Sequence, residues 1–374
     1  MTATAFDVVV IGGGIAGVSI GYELADDRTV CLLEQETTLA FHTTGRSAAL
    51  YLETFGNATV RSLTTVSRAF LTDPPDTFDG PLLSPRPYLV FARNGREDAL
   101  AEFCREVRQQ APAVEQVSAD EAVDLAPYLR RDAIGAGVLD PDADDIDVHA
   151  LHQGYVRGLR RRGGQIRTNA PVTALHRAGG GWTVTLDDGD TVTAPIVVDA
   201  AGAWADHVAD LAGATTAGLT PMIRTIFGVD APAALTTGAL PVVNDLDDTF
   251  YIKPEANGLL CSPADETPSH PHDVKPDDLD IARAIESINE VTDLNLRRIT
   301  SSWAGLRTFA PDRSPVVGFD PRVDGFFWFA GQGGYGIQMA DGLARSGAAL
   351  FRGESLPGDV VAGGVRAAAL TPGR

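Results

Sequence analysis

Near the start of the chain an unbroken apolar, β-branched run, Phe6–Ile11 (FDVVVI), leads straight into Gly12-Gly13-Gly14-Ile15-Ala16-Gly17. A run without polar alternation reads as a strand buried on both faces of a parallel sheet. The glycines match the spacing GxGxxG. The first permits a tight turn, the second lets the backbone approach a pyrophosphate, and the third lets helix and strand pack closely. A helical stretch to about Asp26 and a second strand, Thr29–Glu34, complete a βαβ opening. Glu34 lies 22 residues after Gly12, where a carboxylate can accept both hydroxyls of a ribose. The free N–H groups and positive dipole end of the helix suit phosphate. The alternative is a glycine-rich turn without a ligand, which the full strand–turn–helix–acid context disfavours.

Strand–glycine–helix junctions recur further on. Ile196–Asp199 is a buried run ending in Ala200-Ala201-Gly202, and Phe326–Phe329 leads into Gly331–Gly336 and a helix expected over Ile337–Phe351. Helices are also expected over Asn57–Leu71, Glu97–Gln110, Asp147–Arg162 and Asp277–Val291. Strands are expected over Pro87–Arg93, Val172–Leu175, Trp182–Leu186 and Thr191–Thr193, with Asp187-Asp188-Gly189 as a hairpin turn. This pattern predicts an α/β chain in which separated segments build a dinucleotide-binding unit around inserted material of a different type.

Composition narrows the partners. With a net charge of −20, the chain lacks the basic footprint that nucleic acid requires, and an anionic membrane surface is disfavoured. Cys31, Cys104 and Cys261 are scattered without CxxC spacing, as expected of reduced thiols in a cytoplasmic protein. No His/Cys/carboxylate group has metal-ligand spacing. The sequence runs directly into its first strand with no basic leader and no long apolar stretch, so neither signal peptide nor membrane span is expected.

Three further motifs carry chemistry. His42-Thr43-Thr44-Gly45-Arg46-Ser47-Ala48 offers hydroxyls and an arginine for a second pyrophosphate contact, or simply a helix N-cap through Thr44 or Ser47. In Val197–Trp204 a buried strand ends in small residues, and Asp199 could be a mere edge residue. In Gly331–Gln338 four glycines are expected to open the last helix, with its dipole available to stabilise negative charge.

Together these motifs resemble the FAD-dependent D-amino acid oxidase superfamily, and within it bacterial D-arginine dehydrogenase most. The matching stretches are Val10–Gly17, His42–Ala49, Leu82–Pro87, Ala150–Arg157, Ala200–Trp204, Phe250–Pro254, Trp303–Phe309 and Gln332–Gln338, in order along nearly the whole chain. The resemblance implies a Rossmann-like FAD-binding domain (1–86, 145–218 and 308–374) with an inserted α+β substrate domain built on a mixed sheet (87–144 and 219–307). It implies cofactor contacts at Gly12, Gly14, Ile15, Ala16, Gly17, Glu34, Gln35, Thr43, Thr44, Gly45, Arg46, Ser47, Ala48, Val172, Ala201, Gly202, Trp204, Gly331, Gly333, Gly334, Tyr335, Gly336, Ile337 and Gln338. It places Arg307, Arg224 and Tyr251 on the substrate carboxylate, which a guanidinium fork and a phenol suit well. Arg307 ranks first, because an arginine in an apolar strand is costly without a partner.

Departures from that resemblance shape the substrate expectation. The glutamate that binds a cationic side chain is Tyr88 here, and a histidine and a tyrosine correspond to Leu50 and Phe55. Glu53 and Gly333 complete the expected pocket, with Glu53 able to restore a charge. The expectation is therefore oxidative deamination of a neutral, apolar or aromatic D-amino acid by hydride transfer to flavin N5. The alternatives are a glycine/sarcosine-type oxidase of secondary amines, a 2-hydroxy acid dehydrogenase, or a catalytically silent FAD-binding subunit. With no cysteine after Cys261, the FAD is expected to be noncovalent. The acceptor is left open among quinone, electron carrier and oxygen. Leu260 stands where sarcosine oxidases carry an oxygen-activating lysine, which favours a dehydrogenase.

Overall fold

The computed structural model describes residues 4–231, 235, 240–256 and 258–374. At its centre, Val8–Ile11 lies between Val30–Leu33 and Ile196–Asp199, with Gln165–Arg167 and Phe326–Ala330 outside them, all parallel. Val316–Phe319 closes one edge antiparallel. Every residue of Val8–Ile11 and Val30–Leu33 is buried, which is why these runs show no polar alternation. Helices Ile15–Leu24, Val148–Arg161 and Ala340–Arg352 share a core with one sheet face, through Val8, Val10, Leu159, Phe329 and Leu343. A four-stranded sheet (Thr4–Ala5, Thr191–Ala194, Gly181–Leu186, Val172–Ala178) supplies Val184 and Val192 to the core on the other, around Val9, Val197 and Trp328.

The second large element is a mixed ten-stranded sheet. Its order runs Gln332–Gly333, Ser301–Phe309, Thr220–Val229, Gly258–Ser262, Tyr251–Glu255, Val242–Asp245, Tyr88–Arg93, Ile134–Asp140, Glu115–Ser118, with Thr267–Pro268 beside Thr220–Val229. Only Val242–Asp245 with Tyr88–Arg93 is parallel among these pairs. Helices Ala119–Leu125 and Asp278–Val291 bury Ala122, Ile281 and Ile288 against Phe91, Phe227 and Ile252 of this sheet. Among the described residues, no helix is long and apolar enough to cross a membrane.

Two expectations shift. The first strand begins at Val8 rather than Phe6. Thr4–Ala5 joins the four-stranded sheet instead, and the chain breaks at Asp7, whose carboxylate accepts from Thr29 N–H and Oγ. The helix expected from Ile337 is not the last, since Gly358–Ala362 follows it, and it begins at Ala340. The glycine run before it first gives Gln332–Gly333 to the large sheet, opposite Phe309 and Thr308, then turns through Gly334–Met339. Gly333, at φ +57°, allows that change of direction.

The third glycine of the opening motif sets the helix against the strand. A Cβ on Gly17 would stand 1.8 Å from the Gly12 carbonyl oxygen, backbone against backbone. Gly17→Ala therefore has to move the helix. The expected result is a loss of about 1–3 kcal/mol in urea unfolding, together with loss of bound flavin.

Candidate active site

A cavity of about 410 Å³ lies where the glycine turns of the parallel sheet face the Ser301–Phe309 strand of the large sheet. Gly12–Ala16, Glu34, Gln35, Val172, Ala201, Gly202 and Trp204 line it from the parallel-sheet side. Gly331, Gly333, Gly334, Gly336 and Ile337 line it from the final junction, and Gly305–Thr308 with Arg224 from the large sheet. Much of this wall is bare backbone. At Gly14 an added Cβ would meet only Thr44 Oγ1 within 4 Å, at 3.2 Å, and at Gly202 nothing. Walls without side chains suit a long, flat, charged ligand.

The phosphate end is held in shape by hydrogen bonds that sequence spacing does not reveal. Glu34 is buried; its two carboxylate oxygens accept from Gly13 N–H (2.7 Å) and Glu36 N–H (2.9 Å), which fixes the acid at the cavity wall. Burial raises its pKa. The helix N-cap is Gly14, which has no side chain, and Thr44 supplies the missing acceptor: Ile15 N–H donates to Thr44 Oγ1 at 3.0 Å. Thr44 therefore caps the dinucleotide helix rather than its own short segment, Thr43–Arg46.

Arg46 and Thr43 also line the cavity, but their polar groups reach across to the large sheet. Thr43 Oγ1 donates to Leu306 O (2.7 Å). The Arg46 guanidinium donates to Ala304 O, Phe41 O and the Asp273 carboxylate (2.6 Å). Arg46 thus spends its guanidinium on the large sheet and its flanking loop while still lining the cavity. Ser47 lines the cavity, whereas Gly17, Gly45, Ala48, Tyr335 and Gln338 do not. Gln338 is committed elsewhere, accepting from Leu52 N–H and donating to Thr64 Oγ1. Asp199 is no edge residue. It is fully buried in a central strand and accepts from Ala201 N–H, and burial pushes its carboxyl well up.

At the other end of the cavity Arg307 and Arg224 line the wall, whereas Tyr251 does not line it and acts on Arg307 only through its charge. Only 9% of Arg307 is exposed, and its Nε has no hydrogen-bond partner. Burial, then the neighbouring Arg224, lowers its pKa to about 10. Tyr88, expected in the pocket, does not line the cavity; burial, then the nearby Asp248, raises its hydroxyl. The sequence gives no sign of Glu266, which accepts from Arg307 Nη2 at 2.5 Å and from Arg313 Nη2 at 2.9 Å. Arg224 Nη2 lies 3.7 Å from the same oxygen.

The other expected pocket residues are dispersed. Glu53 accepts from Tyr51 Oη and faces a separate cavity lined by Arg68, Asp140 and Asp142, so it brings no charge to the arginines. Leu50 sits in a short strand opposite Asp145. Phe55 is partly exposed and packs edge-on to Tyr335, with centroids 5.1 Å apart. Lys253 is bound to Asp145 and Glu255. Among the described residues no group of three or more His, Cys, Asp or Glu could hold a metal ion.

His152, expected to be an ordinary helix residue, is buried behind the glycine turn, where Nε2 donates to Gly13 O at 2.9 Å. Burial lowers its pKa below the usual 6.5. The unfolded chain therefore takes up a proton near pH 6.5 that the fold resists. This contribution to stability is complete above that pH and is lost as pH falls towards the folded pKa. His152→Gln keeps a donor for Gly13 but cannot titrate. It should lose less stability than wild type between pH 7 and 5 in urea titrations of the flavin-free protein; equal losses would contradict this assignment.

Comparison with known proteins agrees with this architecture. A family model described as FAD dependent oxidoreductase matches residues 7–350. Mitochondrial dimethylglycine dehydrogenase of Rattus norvegicus is 28% identical over 363 residues, spanning 91% of this chain and 42% of its own. The chain thus spans less than half the length of that relative. Glycine oxidase of Bacillus subtilis is 25% identical over 358 residues, 90% of each chain. Among solved structures, iminodiacetate oxidase from Chelativorans sp. BNC1 superposes with a TM-score of 0.82 at 20% identity, covering 98% of both. With a family model spanning nearly the whole chain and a glycine-walled cavity at the predicted junctions, this chain belongs to the FAD-dependent oxidoreductase family.

Proposed function

We propose that the chain oxidises a small amine that carries a carboxylate, of the glycine or N-methylglycine type, with noncovalently held FAD. The observation that carries this reading is Arg307, a nearly buried guanidinium at the cavity whose Nε lacks a partner. Such a group has a strong demand for an anion. Arg224 lines the same cavity beside it, so a carboxylate would have two guanidinium groups to orient it. The two curated relatives, named for dimethylglycine and glycine, support the small-amine reading over the D-amino acid expectation.

FAD, when bound, accepts the hydride. The chain's own residues would hold and orient. Glu34, the Gly12–Gly14 turn and the Thr44-capped helix would hold the adenosine diphosphate part. Gly331–Gly334 and the Gly305–Thr308 segment would flank the flavin part. Clustered guanidinium groups disfavour a second cation nearby. The substrate nitrogen next to Arg307 and Arg224 would therefore lose its proton more readily than in water, exposing the lone pair that amine oxidation needs. Cys31, Cys104 and Cys261 are buried and none lines the cavity, which supports noncovalent binding. Acid precipitation should release all of the flavin into the supernatant.

The test is anaerobic reduction of the bound flavin by glycine, sarcosine, dimethylglycine, proline, paired D- and L-amino acids and an α-hydroxy acid. The expected result is bleaching by the glycine derivatives, weaker with D-amino acids of growing side chain. Bleaching by bulky D-amino acids alone would restore the other reading, and bleaching by none would sink both. Arg307→Ala should keep its flavin yet lose about 100-fold in kcat/KM, the scale of one charge-assisted pair.

A further inference from the structure

Glu266 poses a problem for the anchor. It is a carboxylate of the chain itself, resting on the guanidinium that should bind the substrate's carboxylate. Its oxygens are used unequally. Oε1 is shared, accepting from Arg307 Nη2 (2.5 Å) and Arg313 Nη2 (2.9 Å), with Arg224 Nη2 3.7 Å away. Oε2 accepts from Arg313 alone, at 3.1 Å. Arg313 therefore reaches both oxygens through its one nitrogen Nη2, while Arg307 makes the shortest contact but to Oε1 alone, leaving its Nε unpaired.

Arg313 is held for this task. It occupies the left-handed region at φ +59°, an uncommon conformation for a residue with a Cβ. A residue kept in such a conformation by its surroundings marks a place where the side chain is needed. The turn is braced on both sides. Asn57 Nδ2 donates to Asp312 O and Ser314 Oγ, and Arg374 pairs with the Asp312 carboxylate through two nitrogens. The guanidinium stacks over the Phe309 ring, 3.9 Å from its centroid, beside Tyr335. Both ends of Arg313 are thus fixed, with Nη2 of its guanidinium on Glu266.

We infer that Arg313 is a positioning residue that holds Glu266 Oε2 away from Arg307, so that Glu266 takes only one nitrogen of Arg307 and the rest of that guanidinium, with Arg224, stays available to a ligand carboxylate. This inference rests on the carboxylate anchor proposed above. Without Arg313, Glu266 would pair fully with Arg307 and compete with the ligand. Removing Glu266 as well would remove the competitor, so the effect of Arg313 on binding should depend on Glu266.

The measurement is the dissociation constant of acetate, read from the perturbation of the bound flavin's absorbance in the FAD-loaded protein, without turnover. Arg313→Gly suits the left-handed position and leaves the turn unstrained; Arg313→Gln is the second variant. Either should weaken acetate about tenfold in wild type. In a Glu266→Gln background the same change should cost less than about threefold, and Glu266→Gln alone should tighten acetate. Comparing the backgrounds forms a double-mutant cycle. An equal tenfold loss in both backgrounds would mean that Arg313 acts on the ligand by its own charge, and would overturn the inference. So would no loss in either background, or weakening by Glu266→Gln. Failure of the wild-type protein to bind acetate would overturn the anchor itself, which separates that failure from this one.

Discussion

The close approach of Gly17 to the Gly12 carbonyl determines where everything at the cavity can stand. With no Cβ between them, the helix Ile15–Leu24 starts directly at the end of strand Val8–Ile11, and Gly14, Ile15 and Ala16 at its start line the cavity. Because the N-cap is itself glycine, the helix end needs help from elsewhere, and Thr44 gives it. Thr43 and Arg46, on either side of Thr44, are bonded to Leu306 and Ala304 of the large sheet. One short segment thus caps the helix and fixes the distance between the two sheets.

The other organising term is charge. A chain with net charge −20 places three arginines around a single carboxylate, two of them, Arg307 and Arg224, in the wall of the glycine-lined cavity. Desolvating Arg307 is expensive unless an anion shares its site. Glu266 meets part of that demand, and a ligand carboxylate would meet the rest. Binding and stability are therefore coupled there: a small carboxylate that seats on Arg307 relieves a cost that the ligand-free protein carries.

The parts of this arrangement visible in sequence are those written in local patterns. The buried parallel strands, the GxGxxG turn, the acid at position 34 and the helices opened by Asn57, Asp147 and Asp277 all follow from neighbours within a few residues. Those three side chains do cap their helices. The capping box Ser118–Glu121 was equally readable and points to the overlooked helix Ala119–Leu125. What stayed hidden depends on distant partners. Arg46 meets Asp273 across 227 residues, Glu266 meets Arg307 and Arg313 across 41 and 47, and His152 meets Gly13 across 139. A motif locates such a residue without saying which of two chemistries its side chain serves. Arg46 ties its segment to the large sheet and Glu53 turns into another cavity for that reason.

The most direct test of the account is a crystal structure of the FAD-loaded protein soaked with a small carboxylate such as acetate. The account predicts flavin between the Gly331–Gly334 run and the Gly305–Thr308 segment, and acetate bound to Arg307 with Glu266 retained by Arg313. Acetate bound away from Arg307, or Glu266 still covering Arg307 with the ligand displaced elsewhere, would contradict it.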